Sequence, residues 1–241
     1  MPDNPARGDG RHLWLLLPAA ALASLWIAWR ALALVDFLYP VLYDAIDVHG
    51  HIETYAPQNR YKADFAATTR EERLRLFGEI VDAIHASGAG LDQIVYRRPD
   101  GQVIDTLLRA PEVGHLQDVA DLVDRMAPVG WLAVAWTALH LLLIRLFGWR
   151  VPTLARLLGA STLAVAAATG AVLLIGARRV FYWFHEWVFP PDHPWFFYYQ
   201  DSLMSTMMKA PDLFGAIAAA LLALGLLVYA VLLLMARRAR G

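Results

Sequence analysis

Four long, predominantly apolar blocks set the terms for any fold this chain can adopt. They run over about 13–38, 128–148, 153–177 and 213–235. A helix crossing the hydrocarbon core of a bilayer needs roughly 20 consecutive apolar residues, and each block reaches that length. The pattern predicts an all-α polytopic membrane protein with four transmembrane helices. The roughly 90 residues between the first two blocks leave room for one small α+β domain outside the membrane.

The first block starts like a secretory signal, with Arg7 and Arg11 before it and Ala21-Leu22-Ala23 as a small-residue site. Its apolar run continues through Trp26, Ile27 and Trp29 to Leu38, past the length of a signal's apolar region. It is therefore read as an uncleaved helix. Arginines set the orientation. Arg7 and Arg11 precede the first block, Arg145, Arg150 and Arg156 border the turn between the second and third, and Arg237, Arg238 and Arg240 follow the fourth. The positive-inside rule assigns all three sites to the cytoplasm.

The expected organisation follows. Residues 1–38 form a cytoplasmic N-terminus and first transmembrane helix, and 39–127 an extracytoplasmic domain. Helices two and three occupy 128–177, an extracytoplasmic aromatic loop 178–212, and a fourth helix with a cytoplasmic C-terminus 213–241. Arg178 and Arg179 depart from the rule on the outer side. They suit lipid phosphates or simple interfacial anchoring, and Arg30 suits snorkelling or a lipid carbonyl.

Net charge is −1 with no run of like charge, so nothing favours nucleic acid. The chain has no cysteine, which excludes disulfides, a Cys-x-x-Cys redox site and a cysteine nucleophile.

Between the first two blocks the punctuation is legible. Thr69-Arg-Glu-Glu72 reads as a capping box, and Leu74, Phe77, Ile80, Val81 and Ile84 then share one helical face. Ser87-Gly88 ends that helix. Ile94-Val95-Tyr96 and Val103-Ile104 flank Pro99-Asp100-Gly101, a β-hairpin pattern. Pro111 suits the first turn of another helix, with Glu112 near its positive end. Pro128 either separates that helix from the second span or joins the two across a kink.

Two histidines stand out against this plan. His115 lies just before the second span and His185 just after the third, so a helical hairpin brings both imidazoles to one membrane face. Glu112 and Asp118, each three residues from His115, are its helix neighbours, and Glu186 adjoins His185. These carboxylates are candidates for orienting a ring. His140 lies inside the second span and suits a bond across the bundle, although intramembrane ionisable groups also invite a functional reading. His193, among prolines, reads as an exposed loop residue. His49-Gly50-His51 is a weak metal signal without further ligands nearby. The rings at Phe181–Phe184, Trp187, Phe189 and Trp195–Tyr199 read as an interfacial belt folded over the membrane surface.

The segments His115-Leu-Gln-Asp118-Val119 and Phe184-His185-Glu186-Trp-Val-Phe189 together resemble the bacterial lipoprotein intramolecular transacylase family. Trp195-Phe-Phe197 and Asp201-Ser-Leu203 look like that family's later W-x-F and D-x-L elements. The proline that usually follows D-x-L closely is replaced by Met204-Ser-Thr-Met-Met-Lys-Ala-Pro211. The resemblance implies an inner-membrane acyltransferase acting on a diacylated bacterial lipoprotein amid membrane lipid. The enzyme would move the sn-2 acyl chain of S-diacylglyceryl-cysteine to the same cysteine's α-amine, leaving the lyso form. It implies His115 and His185 as catalytic; Glu112, Asp118, Glu186, Trp195 and Asp201 are the candidates for orienting a ring or positioning substrate, and no cofactor or metal is expected.

That chemistry suits histidine. An α-amine titrates near 8 and imidazole near 6.5, so a neutral ring can accept the amine proton near neutrality. One base and one acid are required, and which ring serves as which stays open. Two other classes remain. One is a related membrane lipid acyltransferase or esterase, and the other a non-enzymatic haem or metal protein with His115 and His185 as ligands.

Overall fold

The computed structural model describes residues 13–149 and 151–239. Arg7, Arg11, Arg150 and Arg240, which bear on orientation, lie outside the described residues. The chain folds into α1 (Leu13–Ala33), α2 (Tyr39–Ala45), α3 (Val48–Tyr55), α4 (Arg70–His85), β1 (Val95–Arg97), β2 (Val103–Thr106), α5 (Ala110–Phe147), α6 (Leu154–Ile175), α7 (Ala177–Val188), α8 (Leu203–Met207) and α9 (Asp212–Arg238), with short 3-10 turns between. Four of these, α1, α5, Ala155–Ile175 within α6, and α9, are long and apolar enough to cross a membrane. In α5 all the acidic residues, Glu112, Asp118, Asp121 and Asp124, and Arg125 precede Pro128, and only Arg145 follows it, so the apolar stretch of α5 is 128–147.

The helices separate into two compact units. One holds the described parts of Met1–Arg30, Ala127–Phe184 and Leu221–Gly241. Its core is Leu13, Leu16, Ala20, Ile144, Val151, Leu157, Tyr229 and Leu233. Leu173, Leu174, Leu222 and Leu227 stay exposed on α6 and α9, as suits helices surrounded by hydrocarbon rather than water. Small residues allow close packing here. Trp26 and Trp131 meet edge to face at 5.9 Å, and a Cβ on Gly130 would lie 2.3 Å from Trp26 Cγ. Gly130→Ala is therefore expected to displace the indole and cost about 1–3 kcal/mol. A thermal midpoint in detergent micelles equal to that of the parent would refute this packing.

The other unit holds Ala31–Met126 and His185–Ala220. Thr69 caps α4 by accepting the Glu72 amide at 3.2 Å. The reciprocal half of the box differs from expectation. The Glu72 carboxylate accepts from Arg75 and from the Arg97 amide instead, which ties α4 to the hairpin. Leu76, Phe77, Ile80 and Val81 are buried on α4, whereas Leu74 and Ile84 are only half-buried. Tyr39 stacks on Phe77 at 4.0 Å.

Arg73 also lies in the buried stripe, at 1% exposure. It donates to Tyr43 Oη, Thr68 Oγ1, the Ala66 carbonyl and Glu53. A buried cation needs such a set of partners.

The hairpin pairs Val95 with Thr106 and Tyr96 with Asp105, antiparallel, with an irregularity after Tyr96. Gly101 takes a positive φ of 88° in its turn. α5 runs through Pro128 as one helix, so Pro128 does not separate it from the span. The 178–212 segment departs most from expectation, because Ala177–Val188 is helical rather than a loop. Gly176, at φ 96°, ends α6 and lets the chain restart. No proline follows until Pro190, so nothing stops α7 before then.

Candidate active site

His115 sits in the second turn of α5, where Pro111 opens the helix. Its ring meets Phe189 edge to face at 5.2 Å and Phe197 at 6.0 Å. Its Nδ1 is buried with no hydrogen-bond partner among the described residues. Burial pushes the imidazole down to about 4, the charge of His185 adds to that, and Asp118 opposes it. The ring is therefore neutral at pH 7 and able to accept a proton.

His185 lies in the last turn of α7. Its ring is 5.4 Å from Phe189 and 4.5 Å from Trp195. Phe189, itself buried, is thus the contact common to both imidazoles. The two distances to it put the histidine ring centroids no more than about 11 Å apart.

The W-x-F spacing has a physical explanation. After Pro194 the chain has no regular secondary structure through Tyr198, and burial alternates residue by residue. Trp195 and Phe197 are half-buried, while Phe196 and Tyr198 are exposed and contact each other at 5.2 Å. Extended chain sends alternate side chains to opposite sides. One side therefore delivers Trp195 to His185 and Phe197 to His115.

Beyond it, Asp201 pairs with Arg60 at 2.7 Å, and the Arg60 amide donates to the Gln200 carbonyl at 2.8 Å. Asp201 thus ties this segment to the 59–62 turn.

The remaining candidates are distributed as follows. Glu112 is fully buried and accepts from Ser202 Oγ and the Arg109 amide, with the Met204 amide also contributing. Burial raises its carboxyl above the usual range against those hydrogen bonds. It braces the start of α5 against α8 and makes no bond to His115. Asp118 bonds His193 Nδ1 at 2.7 Å. Glu186 is exposed. Arg178 lies over the Tyr182 ring at 5.6 Å; Arg30 closes α1.

His140 packs near Trp136 and Trp149 around a small apolar cavity with Leu15, Leu139 and Leu143. His49 bonds Arg73 at 2.9 Å, whereas His51 packs on Tyr55 and Tyr199. The two therefore serve separate contacts.

Sequence reasoning missed the Asp118–His193 and Glu112–Ser202 contacts. They join residues 75 and 90 positions apart, beyond any local pattern. No curated protein and no solved structure matches the chain. Residues 97–210, which carry both histidines and the aromatic segment between Phe181 and Tyr199, match the family model of the lipoprotein intramolecular transacylase Lit.

Proposed function

We propose that the chain is a lipoprotein intramolecular transacylase of the bacterial inner membrane. It moves the sn-2 acyl chain of an S-diacylglyceryl cysteine to that cysteine's own α-amine. The observation that carries this reading is the meeting of His115 and His185 at one aromatic ring, within the stretch that matches the family.

The α-amine attacks the ester carbonyl, so a C–N bond forms and the C–O bond to glycerol breaks. His115, neutral and with an unpaired nitrogen, takes the amine proton. His185 stands in the last turn of α7, where the helix dipole favours a cation, and it gives a proton to the departing glyceryl oxygen. Donor and acceptor share one cysteine, so holding them together can supply an effective molarity of roughly 10⁵ M or more. No nucleophile from the enzyme is needed, which accords with a chain lacking cysteine.

Expression in a bacterium lacking its own lipoprotein N-acyltransferase tests the reaction. Mass spectrometry of lipoprotein N-termini is expected to find N-acyl, S-monoacylglyceryl cysteine. Diacylglyceryl cysteine with a free amine would overturn the reading.

The same proposal puts the site on the extracytoplasmic face. A reporter inserted at Gly101, at the exposed hairpin tip, is expected to report the outside and one after Gly241 the cytoplasm. A cytoplasmic result at Gly101 would reverse the assigned face.

A further inference from the structure

A further contact precedes the alternating segment, in the turn that leads into it. Two residues before Trp195, His193 bonds Asp118 on α5 at 2.7 Å through Nδ1. Three residues spaced by two thus each touch a different part of the site: His193 meets Asp118, Trp195 meets His185, and Phe197 meets His115. The segment lies along the site as a strap with three contacts, the first from the turn at His193 and the other two from the alternating stretch.

The strap has little else to hold its leading end. Prolines at 190, 191 and 194 contribute no amide hydrogen, and among the described residues the turn's own backbone bond is His193 N to the Pro190 carbonyl. An open cavity of about 410 Å³ borders Pro191, Asp192, His193, Pro194, Trp195 and Phe196, so this end is not packed in place.

We propose that His193 is a positioning residue for the acyl transfer, its pair with Asp118 fastening the strap so that Trp195 rests on His185. This rests on the reading above that His185 takes part in that transfer. An exposed ion pair is ordinarily weak, but Asp118 is only 12% exposed and the bond is charge-assisted.

Two charges act on His193, Asp118 from α5 and Asp192 from its own turn. The bond to Asp118 comes first in holding the imidazole protonated above its ordinary range. The sign follows. The pair is complete at low pH and is lost as pH rises through the raised value of His193.

Single-turnover lyso-lipoprotein formation in proteoliposomes, read beside hydrogen exchange of 190–197, tests the strap. His193→Ala is expected to lower the transfer rate about tenfold at pH 6 and to speed exchange across 190–197. The deficit should shrink toward none as pH rises through the titration of His193. His193→Arg, which keeps a cation opposite Asp118, is expected to restore the rate at pH 6 and to lack the alkaline loss.

A His193→Ala protein with the parental rate and parental exchange at pH 6 would overturn the proposal. So would a deficit that is constant with pH and unrelieved by arginine. If the parent makes no lyso form while His193→Ala still loosens 190–197, the reaction assigned above fails and the fastening stands.

Discussion

His115→Ala is expected to reduce single-turnover formation of lyso-lipoprotein by about 10²–10⁴-fold, the range for loss of a positioned proton-transfer group. Membrane expression should be retained, because the ring contributes two aromatic contacts and no hydrogen bond from Nδ1. His185→Ala is expected to fall in the same range. Residues acting as one unit are non-additive, so the double variant should be little worse than either single one. Formation of the lyso form at the parental rate by either variant would remove the two-histidine mechanism.

The pH profile gives a second reading of the same pair. Burial holds His115 down to about 4, so it is a competent acceptor above that value and is lost as pH falls through it. From pH 5 upward the rate is expected to rise with deprotonation of the α-amine, which titrates near 8, until the titration of His193 loosens the strap and opposes that rise. An NMR titration placing His115 at an ordinary imidazole value would contradict this division of labour.

Glu112→Ala carries the other large effect, and it is one of stability. The substitution would leave Ser202 Oγ and the Arg109 and Met204 amides without their acceptor. Ser202 is itself fully buried. Each buried polar group left unpaired costs about 1–3 kcal/mol, so a total near 3 kcal/mol or more is expected. The measurement is the thermal midpoint in micelles. Glu112→Gln keeps one acceptor oxygen and should lose less. If Glu112→Ala kept the parental midpoint yet lost transfer, the carboxylate would belong to the chemistry and not to the brace between α5 and α8.

The contrast between Glu112 and His115 shows what a sequence can convey. Spans, the Thr69 cap and the hairpin around Gly101 are local patterns, each decided within about twenty residues, and they were legible. The approach of His115 and His185 to one ring could be anticipated because each sits beside the end of an apolar block. Partners were not. Spacing of three put Glu112 and Asp118 beside His115 on a helix surface, yet each carboxylate is bonded elsewhere, to Ser202 and to His193. Helix spacing fixes which side chains are neighbours, while hydrogen bonds go to whichever donor the tertiary fold delivers.

Arg73 was hidden for a related reason. Its partners come from Tyr43, Glu53, Ala66 and Thr68, and a charge inside an apolar stripe gives no sign of them. α7 was missed because aromatic density suggested a membrane belt and drew attention from helix-compatible spacing.

Phe189 has a further consequence. A phenyl ring touching both imidazoles has no hydrogen-bonding atom, so it conducts no protons between them. In the proposed reaction the proton taken from the amine and the proton given to glycerol are different protons. Each turnover would leave His115 charged and His185 neutral. The resting pair must then be restored through water after the lyso product leaves, so the site has to admit water between cycles.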